Sequence, residues 1–512
     1  MTRRSAFWTG ALAMGFSLVI IYTIGGFFMV AFPPARIASM FITLTPGDLA
    51  TLMIEAFGHW AIAGLAVAVT IATIAVGGFG GIYINKAMTD GSKVKRALGF
   101  SAAFVLVALA LATVSPEGAS ITAALLYVVP ALMFARMTSG VRLSLAFEPK
   151  IQGDQTPLDA IQRSRRRFLV RSVAAIGGLV IGGAAMLRFM GSKTPVDVDL
   201  VDADVAFIPP PEDANFPVVP GHSPEITPIA DFYNVDINPF NKPRVDHESW
   251  LLKIHGLFDE PYELSYGQLQ SQFEVVEMAH TLTCISNEVG GDLISTAIWR
   301  GVRLKDVLAR GGLKQGIVDI VFKGAEGYTD SIPLAKALEE TTLVVFGMNG
   351  EPLPREHGFP ARIIVPGIYG MKNVKWLVEI EAVDNNYQGY WMVRGWSDVA
   401  RVKTGSRIDV PFDNAVVPTS TRLAGVAWAG DRGILRVEIS EDDGESWRPA
   451  LLKRELSPVA WRLWSADLKQ PSGVQDVLVR ATDGDSDVQT RTRTRPHPDG
   501  ASGWHTISFK VE

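Results

Sequence analysis

The sequence predicts three architectures in one chain. They are an all-α transmembrane bundle over 1–190, an α+β domain over 229–412 and an immunoglobulin-like β-sandwich over 413–512, with a linker at 191–228. Three observations predict them. Long apolar runs crowd the first 140 residues. Strand-like and helix-like segments then interleave without a regular βαβ rhythm. From about residue 415 the pattern changes to short alternating strands separated by turns.

Composition narrows the function classes. At 512 residues the chain has room for about three domains. Lys+Arg number 48 against Asp+Glu 53, a net charge of -5, so no basic excess points to nucleic acid. Hydrophobic residues make up 48%, and the mean hydropathy is +0.19. Cys284 is the only cysteine, which excludes an intrachain disulfide, a Cys-ligated iron–sulfur cluster and a CxxCH haem attachment.

The apolar runs lie near 7–31, 52–82, 97–114 and 120–135, and most reach or approach the length of a spanning helix. A fifth, "VAAIGGLVIGGAAML" (173–187), is shorter and rich in Gly and Ala. Basic residues orient them. Arg3 and Arg4 precede the first run, Lys86, Lys93, Lys95 and Arg96 follow the second, and Arg136 to Arg171 hold eight more basic residues after the fourth. The intervening loops carry only Arg36. Basic loops stay cytoplasmic, so five spans place everything after about residue 190 outside the cytoplasm of a bacterial cell. "SRRRFLV" (164–170), before the fifth run, resembles the twin-arginine signal that exports folded, cofactor-loaded domains; an ordinary positive flank is the alternative. Glu55 and His59 share a helix face near the water boundary, and a single histidine in the bundle excludes a bis-His haem there.

The stretch 191–228 is rich in Pro and Asp and reads as an extended linker. Beyond it "SWLLKIHG" reads as a strand, "LSYGQLQSQ" as a short helix, "FEVVEMAHTLTC" as a strand, "LKDVLARGG" as a helix closed by Gly and "GIVDIVFKG" as a strand. "GILRVEIS", "VAWRLWSADL", "VQDVLVRATD" and "WHTISFKVE" read as strands of the sandwich, with a turn at "EDDGESW".

Cys284 in "TLTCISNEVGGDLIS" (281–295) is the residue to explain; a lone thiol among apolar and small residues is most simply a buried hydrophobe. Three motifs point elsewhere: "HTLTCISNEVGGDLISTAIWRGVRLKDVL" (280–308), "EHGFPARIIVPGIYGMKNVKWLVEIE" (356–381) and "SEDDGESWRPA" near 440–450. In this order they resemble the sulfite oxidase family of molybdopterin-dependent oxidoreductases, over roughly 225–512. The resemblance implies that Cys284 is the thiolate ligand of molybdenum, a soft donor for a polarizable metal. It assigns cofactor contacts to Tyr233, Asn234, Asn287, His357, Arg362, Asn373, Val374 and Lys375, with Arg362 as the natural clamp for the pterin's phosphate. Surface solvation of charge is the alternative for Arg362 and Lys375.

The chain also departs from the family. Where sulfite-oxidising members follow the ligand with arginines, it has Glu288 and Val289, which opposes an anion electrostatically. Arg300 or Arg394 could compensate, with Tyr390 and Trp391 as pocket walls. The implied function is two-electron oxygen-atom transfer on a small substrate, sulfite or an S- or N-oxide, at a molybdenum–molybdopterin centre without haem or iron–sulfur cluster. Electrons would pass to an external carrier or a quinone, lipid would surround the bundle, and a homodimer through the sandwich stays open. The rival readings are a non-catalytic scaffold on a polytopic anchor and a quinone-linked reductase.

Overall fold

The computed structural model describes residues 3–28, 60–87, 90–113, 215–237, 242–468 and 472–512, with residues 37, 131, 132, 134, 135, 138, 200 and 213. They divide into two compact units, Met1–Thr194 and Pro195–Glu512. The expected run at 173–187, the twin-arginine-like segment 164–170, Glu55 and His59 lie outside the described residues, as does most of 120–135.

In the first unit three expected runs are helices: α1 (Arg3–Phe28), α2 (Trp60–Asn85) and α3 (Asp90–Thr113). α1 and α2 meet through small residues. A Cβ on Gly10 would lie 2.2 Å from the Gly77 carbonyl oxygen, and one on Gly81 2.3 Å from that of Ala6. The backbones therefore touch, the close approach that small residues spaced four apart allow. Ser17 and Thr73 turn their hydroxyls back onto carbonyls four residues earlier, hiding their polarity in the helix. Trp8, Phe16, Ile71, Phe79 and Leu106 are exposed. Among the described residues one stretch, Val67–Asn85, is long and apolar enough to cross a membrane, by length and composition alone.

The second unit begins its regular structure with β1 (Leu251–Gly256), β2 (Tyr262–Ser265), α4 (Tyr266–Ser271), β3 (Val275–Thr283) and β4 (Ile294–Arg303). α5 (Leu304–Arg310), β5 (Asp319–Gly324), β6 (Thr329–Pro333), α6 (Leu334–Ala337), β7 (Leu343–Met348), β8 (Glu351–Pro352), β9 (Arg362–Ile364) and β10 (Leu377–Val383) follow. One sheet runs β2-β1-β10-β5-β6; another runs β3-β4-β7-β8, with β9 on β7. β1 and β10 are parallel while most other pairs are antiparallel, the mixture expected of an α+β domain. α4 starts where Ser265 and Gln268 cap each other's backbone N–H groups. β7, buried at every residue, runs through the core without alternation.

Two further sheets form the C-terminal half. One orders β11 (Gly405–Val410), β13 (Arg422–Trp428), β17 (Arg462–Asp467) and β16 (Leu451–Leu452) as β11-β13-β17-β16. The other orders β12 (Val416–Val417), β19 (His505–Val511), β18 (Gly473–Asp483), β14 (Ile434–Ser440) and β15 (Arg448–Pro449) as β12-β19-β18-β14-β15. They share one core, where Ile408, Leu423 and Trp464 meet Val437, Val479, Ile507 and Phe509. Alternation in "TISFKV" puts Ile507, Phe509 and Val511 inside, the period-two signal read from sequence.

Two boundaries differ from expectation. β11 pairs with β13, so the β-rich half starts before residue 413. The end of the expected linker is also pinned. Thr227 exchanges hydrogen bonds with Thr296, Trp461 Nε1 donates 2.8 Å to the Glu225 carbonyl, and Glu225 pairs with Lys453. Composition marks the segment as extended, and its partners lie far along the chain.

Candidate active site

β3 ends at Thr283, and Cys284 opens the loop that returns to β4. Cys284 N donates 2.9 Å to Leu293 O, and Asn287 closes the loop by accepting Leu293 N at Oδ1, 3.0 Å. From the second domain Arg407 donates 2.8 Å to Gly291 O. Cys284 is buried, with Sγ 3.0 Å from Ser286 Oγ. Burial pushes its thiol above the usual range, and the Ser286 contact only partly opposes this. Such a sulfur stays protonated until a metal displaces the proton. Among the described residues no three His, Cys, Asp or Glu side chains form a metal cluster.

The other end of the site is cationic. Arg362, on β9, is 5% exposed and donates 3.1 Å to His357 O and 3.0 Å to Asn373 O, with its guanidinium 5.2 Å above the Trp299 ring. Among the described residues its Nε has no partner and no carboxylate pairs with it. Burial lowers its pKa to about 10, and Tyr233 opposes this. An uncompensated buried cation is costly, so the cradle suits an anion such as a phosphate. Tyr233 feels both ends. Burial raises its phenol, Cys284 raises it further and Arg362 opposes them. Gly370 makes room for it, since a Cβ there would stand 2.8 Å from the Tyr233 hydroxyl oxygen and 3.4 Å from Thr283 O.

Several other expected residues gather around this axis. His357 is buried and meets Phe232 edge-on at 5.3 Å. Lys375 donates to Asn234 Oδ1 at 3.0 Å, to Asp236 Oδ2 at 3.3 Å and to Glu356 O at 3.3 Å. Burial lowers its pKa to about 8, against the pull of Asp236. Asn234 Nδ2 also donates to Glu356 O, 3.1 Å. The Asn373 side chain braces its own loop, accepting Val365 N at 2.7 Å and donating to Tyr369 O at 3.1 Å. Val374 is buried, and its carbonyl accepts Ile363 N.

The proposed compensating arginines are placed differently. Register pairs Arg300 with Glu277, six residues back from Thr283, a separation of roughly 20 Å along β3. Its Nε is 4.0 Å from Glu277 Oε1, so the structure does not bring Arg300 to the thiol. Arg394 lies over the Tyr390 ring at 3.8 Å and donates 2.6 Å to Tyr390 O. Trp391 packs on a cluster that contains Ile285 and Tyr369, which sets this loop beside the Cys284 turn.

Sequence reasoning missed Ser286, Tyr369, Gly370 and Lys372. It also missed His280, whose only cue was its place four residues before Cys284. His280 is fully buried, its Nδ1 donates 3.0 Å to Val459 O, and Nε2 has no partner among the described residues. Burial lowers its pKa to about 4. Above pH 6.5 both folded and unfolded forms are neutral; between about 6.5 and 4 only the unfolded chain takes the proton. Stability is therefore full above that window and falls on acidification, by on the order of 3 kcal/mol. Thermal melts from pH 7 to 4 should show the loss, and His280→Gln should flatten it. An unchanged slope would mean that other groups, such as His505, also lowered to about 4, carry the acid sensitivity.

Residues 240–391 match the oxidoreductase molybdopterin binding domain, and residues 397–508 the Mo-co oxidoreductase dimerisation domain. The mitochondrial sulfite oxidase of Macaca fascicularis is 32% identical over 302 residues, covering 50% of this chain and 55% of that protein. A nitrate reductase [NAD(P)H] of Hordeum vulgare is 28% identical over 305 residues, covering 47% of this chain and 34% of that one. The solved sulfane dehydrogenase SoxCD from Paracoccus pantotrophus aligns with TM-score 0.47 and 23% identity over 53% of this chain and 80% of its own. The chain thus spans about half the length of the sulfite oxidases it matches. From residue 240 to residue 508 it belongs to the sulfite oxidase family of molybdopterin oxidoreductases.

Proposed function

We propose that this chain is a membrane-anchored, extracytoplasmic molybdenum oxidoreductase that transfers one oxygen atom in a two-electron reaction with a small substrate. The observation that carries this is the presence of a buried thiol, Cys284, and a buried cation lacking a carboxylate, Arg362, both of which act electrostatically on Tyr233. One end suits a soft metal and the other a phosphate, so the residues fit a molybdenum–pterin group. That group, when bound, supplies the oxygen-atom transfer. The chain's own residues bind and orient it. Cys284 offers the thiolate, Arg362 and Lys375 the positive charge, and the Asn373-braced loop holds Arg362 in place. Trp391 and Tyr390 wall the approach.

Glu288 is exposed on the Cys284 loop itself, and a carboxylate there repels sulfite more than it does a neutral S- or N-oxide. An uncharged oxide is therefore the favoured substrate class. Membrane anchoring is supported by the apolar stretch Val67–Asn85 and by exposed apolar side chains on helices that contact each other through glycine. The basic residues Lys86, Lys93, Lys95 and Arg96 orient those helices with the second unit outside, delivered by the twin-arginine-like segment. Electrons would pass to an external carrier or a quinone, and two immunoglobulin-like halves would form a homodimer. Purified protein from a cofactor-competent host should turn over S- or N-oxides with a kcat/KM at least about tenfold higher than for sulfite. Molybdenum-loaded protein that acts on none of these compounds would refute the assignment.

A further inference from the structure

Lys372 is 1% exposed. It ends the short turn Gly370–Lys372, immediately before Asn373, whose carbonyl holds Arg362. Its ammonium reaches two separate pieces of chain. On β6 it donates to Asp330 Oδ1 at 3.0 Å and to Ser331 O at 2.8 Å. On the loop 386–398 it lies 3.4 Å from Met392 Sδ and 3.6 Å from Asp398 Oδ1.

That loop carries the aromatic wall. Asn386 Nδ2 donates 2.7 Å to Asp398 Oδ2 and ties its two ends together. Its middle presses on β6: Tyr390 N donates 2.9 Å to Thr329 O, and a Cβ on Gly389 would stand 2.8 Å from Asp330 Cα. Trp391, one residue on, packs beside Ile285 and Tyr369, the neighbours of Cys284 and Gly370. A buried ion pair contributes little stability beyond what well-packed apolar side chains would give, and its best-attested use is to select one arrangement among several. A lysine among Asp330, Asp398 and a thioether is suited to that use. Without it the loop would keep its apolar contacts and its backbone bond to Thr329, and lose the Met392 and Asp398 contacts that tie it to the cofactor loop.

We propose that Lys372 is a positioning residue, which registers the wall loop 386–398 against the cofactor loop and so sets where substrate sits. The effect on substrate rests on the proposed oxidoreductase reading; the effect on the loop does not. Lys372→Met alone strands the Asp330 carboxylate, so the informative variant is Lys372→Met with Asp330→Asn, in which the buried pair is replaced by neutral side chains of similar size and only the part-exposed Asp398 keeps its charge. Lys372→Arg, which keeps the charge and the donors, is the rescue. All are made in the full chain with its cofactor.

Three quantities are measured: amide hydrogen exchange in peptides spanning 386–398, molybdenum per chain, and kcat and KM with the oxide that the wild type turns over. In the double variant, exchange in 386–398 should accelerate about tenfold with molybdenum retained, and KM should rise about tenfold while kcat changes less than about threefold. Lys372→Arg should restore both. Unchanged exchange in the double variant overturns the proposal, as does a KM that stays put while only the melting temperature falls. Protein that holds no molybdenum in any version refutes the proposed function instead, and the exchange comparison still decides the role of Lys372.

Discussion

Cys284→Ser should give a folded protein with less than about a tenth of the wild-type molybdenum and at least about 1000-fold lower turnover. The loop around residue 284 is closed by main-chain bonds and by the Asn287 side chain, none of which involves sulfur. The exchange removes only the difference between a thiol and a hydroxyl next to Ser286, so unfolding of the cofactor-free form should change by about 1 kcal/mol or less. The ligand changes completely, because a serine hydroxyl is hard and is not deprotonated by a soft metal at neutral pH. Metal analysis of the purified variant beside the wild type decides the matter. One molybdenum per chain in the serine variant would show that this sulfur is not the ligand.

Arg362→Lys should be the second large effect, at the opposite end of the site. The guanidinium uses two nitrogens to hold the His357 and Asn373 carbonyls and leaves Nε unpaired. A lysine keeps the charge but cannot hold both carbonyls and meet a bidentate anion, so it loses geometry rather than electrostatics. Pterin content per chain should fall at least about tenfold, while the cofactor-free protein should unfold within about 2 kcal/mol of the wild type. Quantifying released pterin alongside chemical denaturation measures both. Full pterin occupancy in the lysine variant would remove Arg362 from the cofactor-binding residues.

How much of this was legible in the sequence depends on how local each cause is. The alternation in "WHTISFKVE", the Ser265–Gln268 capping box and the apolar runs of α1 to α3 are signals carried by neighbours within a turn or a strand. Cys284, Arg362 and Lys375 stood out in the sequence because their motifs bring the chemistry with them. Arg300 was misplaced because its distance from the thiol depends on how β3 pairs with β4, and nothing local reports register at that range. The Asn373 side chain braces its own loop, a contact that the motif does not report. Lys372 was not legible at all. A lysine in a sequence reads as a solvated charge, and the partner that buries it, Asp330, lies 42 residues away.

The sandwich is not an appendage to the catalytic half. Ser457 Oγ donates to Ala279 O, Val459 O receives the His280 ring, Trp461 N donates to Thr281 Oγ1, and Arg407 reaches Gly291 O. The strand leading to the thiol is thereby finished by hydrogen bonds from the other domain. Moving either half into a new context would sever these bonds and leave the end of the strand that delivers the thiol without its partners.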